Sequence, residues 1–247
     1  MRTSLPTRQL GTTDLHITRV GFGAWAIGGG GWSFGWGPQD DNDSIGAIRC
    51  ALELGVNWID TAEVYGRGHS EELVARAIAG RRDEVLIFTK VAPDEEGSGI
   101  HPEGIQKAIQ GSLARLQTDH VDLYQVHWRD DRIPVEDTWG AMAEVVKEGL
   151  ALHIGVSNFD RPRIERCLPI HPVTSVQNEF SLVHQDDRAD LLPWLAQQRI
   201  GYLADLLDIE RTPFTLSAEG APWEVEGAPR RAGVSSLGVG GNVGDGG

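Results

Sequence analysis

The chain has 247 residues, 40% of them hydrophobic and 23% charged, with a formal net charge of −14. That length suffices for one barrel-sized domain with a buried core. The acidic balance excludes nucleic acid and anionic membrane as general partners, though it leaves room for a local basic pocket.

Residues 8–10 and 15–18 are short extended runs on either side of Gly11-Thr12-Thr13-Asp14, which predicts a small hairpin capping one end of the fold. Residues 19–22 read as the first strand. A glycine-rich loop follows from Gly28 to Gly37, carrying Trp32, Phe34 and Trp36. It lacks the Gly-Lys-Ser/Thr ending of a phosphate-binding loop, so we read it as a wall beside a substrate. Residues 44–54 place Ile45, Ile48 and Leu52 on one helical face, and residues 56–60 read as a strand. Residues 71–78 read as a helix with Ser70 as its N-cap.

The alternation then repeats. Residues 85–90 form a strand, and Ile105, Ile109, Leu113 and Leu116 form a helical stripe. Residues 121–128 form a strand, and Pro134 opens a helix that buries Trp139, Met142 and Val146. Residues 152–156 form a strand, and Asp160 and Pro162 open a helix with Ile164 and Leu168. Residues 175–180 form a strand, 191–198 a helix, and 200–204 begin a seventh strand after the hairpin.

Strands alternating with helices imply parallel pairing through right-handed crossovers. An open doubly wound sheet should carry G-x-G-x-x-G after its first strand. Here Gly21-Phe22-Gly23-Ala24-Trp25 puts the bulky Trp25 near the third glycine's place. Polar residues instead gather at strand C-termini: Asp60, Lys90, His127, Ser157 and Asn158. A closed barrel brings all those ends to one mouth. The expected fold class is therefore α/β, a parallel (β/α)8 TIM-type barrel with a short N-terminal β-hairpin.

Asp60, Tyr65, Lys90 and His127 lie at or just beyond successive strand ends. Each alone has an ordinary explanation as turn former, packing aromatic, solvated lysine or core histidine. Together they suit carbonyl reduction. Hydride addition puts negative charge on the carbonyl oxygen, and a proton must arrive there. Tyr65 can supply it, Lys90 is expected to lower the tyrosine's pKa from about 10, Asp60 to hold Lys90, and a neutral His127 to orient the oxygen. A metal-dependent hydrolase would need clustered ligands such as His-x-His, and His127 is the one histidine at a confident strand end. No metal is expected.

The segment Gly55-Val-Asn-Trp-Ile-Asp60-Thr-Ala-Glu-Val-Tyr65-Gly-Arg-Gly-His-Ser70-Glu closely resembles the signature of the aldo-keto reductase superfamily. Lys90 stands in a matching Phe-Thr-Lys strand end, and His127 in a matching Tyr-Gln-Val-His-Trp one. The resemblance implies that Asp60, Tyr65, Lys90 and His127 form the catalytic set. It implies that Ser157, Asn158 and Gln177, with Asp60, bind the cofactor, the first three around the nicotinamide carboxamide. It also implies that Trp25 and Trp128 line the substrate pocket. NADPH/NADP is the implied cofactor, with NAD as the alternative, and a small carbonyl compound is the implied partner.

The resemblance covers roughly residues 5 to 204 and then stops. Relatives continue with an aromatic that stacks on the nicotinamide, an eighth strand and a basic element for the adenosine 2′-phosphate; this chain reads Ala204-Asp205-Leu206-Leu207-Asp208-Ile209-Glu210. The expected division is therefore a reductase-like barrel at 1–204, lacking its eighth strand, and a non-matching glycine-rich tail at 205–247 that is expected to be disordered. A frame change near Ala204 would produce such a break. The alternatives are a non-catalytic nicotinamide-binding barrel like the potassium-channel β subunits, and an inactive truncated reductase. Two cysteines without a Cys-x-x-Cys pair, no secretory signal and no long apolar run lead us to expect a cytoplasmic protein.

Overall fold

The computed structural model describes residues 5–32, 35–93 and 99–205. All fall within the unit Met1–Asp208. The expectations for Phe34 and for the tail beyond residue 205 lie outside the described residues.

Two short strands, β1 (Thr7–Gln9) and β2 (His16–Thr18), pair antiparallel as the hairpin. The main sheet then begins with β3 (Phe22–Gly23) and continues through β4 (Trp58–Asp60), β5 (Leu86–Val91), β6 (Val121–Val126), β7 (Ala151–Ser157), β8 (Ser175–Glu179) and β9 (Gly201–Asp205). Six helices alternate with them: α1 (Asp41–Glu53), α2 (His69–Ala77), α3 (Pro102–Leu116), α4 (Val135–Lys147), α5 (Arg161–Cys167) and α6 (Leu191–Gln198). Every strand of the main sheet pairs parallel with its neighbour in chain order. That order, with a helix in each crossover, is the TIM-type arrangement.

Local chemistry explains where the helices begin. The Asp40 carboxylate accepts from the backbone of Asn42 and Asp43 and caps α1. Asp160 caps α5 through the Arg163 amide, with Pro162 in the first turn. The expected stripes are buried: Ile45, Ile48 and Leu52 on α1, and Ile105, Ile109, Leu113 and Leu116 on α3. These pack on the outer sheet residues Ile59, Ile87, Tyr124, Val126, Ile154 and Val176 in one core between sheet and helices.

A second, smaller core fills the inside of the curled sheet. Leu10, Leu15 and Ile17 of the hairpin segment pack against Phe88, Leu123 and Leu203. The hairpin thus plugs the end opposite the strand C-termini and leaves those ends to chemistry.

Two local expectations are corrected. The first sheet strand is only the pair Phe22–Gly23, in register with Ile59 and Asp60, and not residues 19–22. Ser70 does not cap α2. Gly68, at φ 96°, precedes the helix without a side-chain cap. The Ser70 hydroxyl bonds the Ala24 carbonyl at 2.8 Å and meets the Thr61 hydroxyl at 2.9 Å. It is fully buried, and tertiary partners outbid the helix terminus for it.

Among the described residues the main sheet has seven strands, with β3 and β9 at its edges. Both edges line one cavity of about 460 Å³, together with Trp58, Asp60 and Gln177. The sheet therefore curls far enough to bring its first and last strands to the same space.

Candidate active site

Asp60, Lys90, Ser157 and Gln177 end or nearly end β4, β5, β7 and β8, and His127 follows β6 directly. Parallel register carries their side chains to one mouth. Tyr65 comes from the loop after β4. Its turn is tight: Gly66, Arg67 and Gly68 all have positive φ (61°, 56° and 96°). A Cβ on Gly66 would lie 2.1 Å from the Gly28 carbonyl oxygen, so the glycine allows the two loops to touch.

Lys90 is the hub. Its Nζ donates to Asp60 Oδ2 at 2.7 Å and to the Thr61 carbonyl at 3.0 Å, and reaches the Tyr65 hydroxyl at 3.5 Å. Lys90 is 1% exposed. The His127 ring meets the Tyr65 ring edge to face, with centroids 5.6 Å apart. Its other side stacks on Trp128 at 3.6 Å and 14°. Trp25 stacks near Tyr65 at 6.4 Å, and Trp32 approaches it at 6.1 Å. Residues spread over more than a hundred positions of sequence thus meet around one phenol.

Electrostatics follow from that burial. Burial pushes the Tyr65 phenol up to about 12; the Lys90 charge pulls it down by less, and Asp60 adds to the rise. Lys90 acts in the expected direction, but desolvation of a phenolate at 6% exposure outweighs one ammonium, so the phenol ends above 10 rather than below it. Burial disfavours the Lys90 charge, but Asp60 and then Tyr65 outweigh it and raise its pKa above the ordinary value. Burial, assisted by Lys90, holds His127 well below its ordinary range. At neutral pH the site therefore holds a protonated phenol, an ammonium paired with Asp60 and a neutral imidazole.

The second group lies beside the first. Ser157 pairs in register with Gln177. Asn158, left-handed at φ 59°, donates from Nδ2 to the His127 carbonyl at 2.9 Å and to Ser157 Oγ at 3.2 Å. Its backbone amide donates to the Gln177 carbonyl at 3.1 Å. Gln177 Nε2 donates to Asp60 Oδ2 at 3.0 Å, which joins the two groups. The sequence reading missed Gln125, fully buried on β6, whose amide donates to Gln177 Oε1 at 2.8 Å. The signal was present: an amide two residues before His127, on a strand that is buried along its whole length.

Among the described residues, Asp60 Oδ1 and His127 Nδ1 have no hydrogen-bond partner. A buried carboxylate oxygen without a donor is costly, so such an atom marks a place for a ligand's donor. A hydroxyl and two amides beside it offer both donors and acceptors, which is what a carboxamide requires. The residues present fit the nicotinamide end of a dinucleotide. Among the described residues no group of three or more His, Cys, Asp or Glu is placed to hold a metal ion.

A curled parallel sheet with its polar residues at the strand C-termini and a plugged opposite end defines a TIM-type barrel protein. The aldo/keto reductase family profile matches residues 19–204. This chain belongs to the aldo/keto reductase family. Aldo-keto reductase YhdN of Bacillus subtilis is 38% identical over 194 residues, 76% of this chain and 57% of that protein. The structure of the thermostable aldo-keto reductase Tm1743, solved with the inhibitor epalrestat, superposes with a TM-score of 0.73 at 35% identity, covering 81% of this chain and 72% of that one. A Klebsiella pneumoniae aldo/keto reductase, solved with NADP and acetate, gives 0.72 at 31% identity, covering 81% and 68%. The chain spans less than two thirds of the length of the curated relatives it matches.

Proposed function

We propose that this chain carries the catalytic face of an NADPH-dependent reductase of aldehydes or ketones, with its reductase part ending near residue 204. The observation that carries the reading is Lys90 Nζ bridging Asp60 Oδ2 at 2.7 Å and the Tyr65 hydroxyl at 3.5 Å, with a neutral imidazole against the same phenol. The relatives solved with NADP and NADPH support the choice of cofactor.

When bound, the reduced nicotinamide supplies a hydride to the carbonyl carbon. Ser157, Asn158 and Gln177 would hold its carboxamide, and Asp60 Oδ1, which has no partner among the described residues, would be left to accept from the bound cofactor. Tyr65 gives its proton to the carbonyl oxygen. Its raised pKa keeps that proton in place until negative charge develops, and Lys90 then stabilises the phenolate left behind. Asp60 keeps Lys90 charged and aimed. His127, neutral, donates a hydrogen bond to the carbonyl oxygen and orients it. Trp25 and Trp128 wall the substrate's space.

Among the described residues β3 and β9 are the edges of the main sheet and share one cavity, which favours a second reading, an inactive form that keeps these groups but does not hold the cofactor. Fluorescence titration with NADPH, followed by turnover with a generic aldehyde, decides. Binding with turnover supports the reductase. Binding without turnover points to a binding module of the channel β-subunit kind. No binding supports the inactive form.

A further inference from the structure

Asp60 can only accept hydrogen bonds when ionised, so it dictates the polarity of whatever it touches. Its Oδ2 receives Gln177 Nε2 at 3.0 Å. Gln177 must then turn its oxygen away, toward Gln125, whose Nε2 donates to it at 2.8 Å. Gln125 in turn offers its own oxygen to Ser175, whose hydroxyl donates at 3.5 Å. One anion thus orders a file of three buried side chains: Gln177, Gln125 and Ser175. Gly155 stands opposite Gln125 in register and makes room for it. A Cβ there would lie 2.6 Å from Ser175 Oγ and 3.3 Å from Gln125 Oε1.

A glutamine amide carries two N–H groups and two lone pairs. In Gln177 one of each is spent within the file, and one of each remains. We propose that Gln125 is a positioning residue: it locks the Gln177 amide with nitrogen toward Asp60, so that one donor and one acceptor stay available, in fixed order, for the nicotinamide carboxamide. This rests on the reductase reading above. Its distinctive content is polarity. Gln125 is needed as a donor, and a group of the same shape that cannot donate will fail.

Gln125→Glu tests this in the full chain. A carboxyl at that buried place, facing the charged pair Asp60 and Lys90 through Gln177, titrates well above a free glutamate. Protonated, it donates as the amide does; ionised, it repels the Gln177 oxygen. NADP⁺ binding is read by tryptophan fluorescence at pH 5.5 and pH 9, each relative to the native chain. The expected result for Gln125→Glu is an affinity within about twofold at pH 5.5 and at least about tenfold weaker at pH 9 (a factor of ten being one interaction of about 1.4 kcal/mol). Gln125→Met should be weaker at both pH values, in the same ratio. A Gln125→Glu ratio that ignores pH, or a Gln125→Met chain that binds as well as the native one, overturns the proposal. Melting without cofactor gives a second readout. The melting-temperature difference between Gln125→Glu and the native chain should widen as pH rises, because the folded state holds the extra proton and loses that advantage. A native chain that binds no NADP⁺ sinks the reductase reading, and the melts then decide the Gln125–Gln177 polarity alone.

Discussion

The rings of Tyr65 and His127 meet at 77°, centroids 5.6 Å apart, and both are held in their neutral forms by burial. An acid and an orienting donor are thus kept ready at neutral pH without either carrying charge. Lys90, within reach of the Tyr65 hydroxyl, bears the positive charge, and Asp60 balances it.

Tyr65→Phe removes the proton while keeping the ring. Turnover of a generic aldehyde should fall by about 10²-fold or more, the usual worth of a positioned general acid. NADPH affinity by fluorescence should stay within about threefold. A variant retaining a tenth of native turnover would remove Tyr65 from the chemistry.

Asp60→Ala strips the partner from a lysine that is 1% exposed. Breaking a buried pair from one side costs about 3–5 kcal/mol. Urea unfolding should show that loss. Lys90→Met with Asp60→Ala should recover part of it, because the unpaired ammonium is gone too. Equal stability of the Asp60→Ala and double variants would mean that an unpaired Lys90 ammonium is not what destabilises the single variant.

Two titrations bound the working range. Tyr65 is raised to about 12 from an ordinary 10, so its stabilising contribution is complete below pH 10 and is lost as pH rises toward 12. His127 is depressed from an ordinary 6.5, so its contribution is complete above that value and is lost as pH falls below it. Turnover should therefore be level between about pH 7 and 9, with no ionisation of the acid inside that window. Melting temperatures should drop below pH 6.5 more steeply in the native chain than in His127→Asn. A rate that declines by pH 8 would contradict the protonated phenol.

Among the described residues, β3 and β9 each have one neighbour in the main sheet and line a shared cavity. Unpaired edges invite association. We expect low thermal stability, aggregation, or oligomers, read by light scattering on a size-exclusion column together with a thermal melt. A monomer melting cooperatively well above 50 °C would oppose this, since ordinary domains melt at about 45–65 °C.

The order of strands and helices was legible in the chain because each depends on a short period of apolar residues. Ile45, Ile48 and Leu52 announce α1, and Val121, Leu123, Tyr124 and Val126 before His127 announce β6. Asp60, Tyr65, Lys90 and His127 were legible as candidates because each falls at a strand end, and parallel pairing needs nothing more to bring strand ends together. Ser70 misled because its best partners, Ala24 and Thr61, come from the segments that follow β3 and β4, and a local capping rule does not see them. Gln125 was passed over for the same reason: its meaning rests on Gln177, fifty-two positions away, and on the gap left by Gly155. The direction of the Tyr65 shift was decided only in three dimensions, where the depth of burial could be weighed against one ammonium. Side-chain type and spacing therefore determined the architecture and the cast of reactive groups. Register between strands and exclusion of water, which no local stretch of sequence contains, decided which groups touch and which of them carry charge.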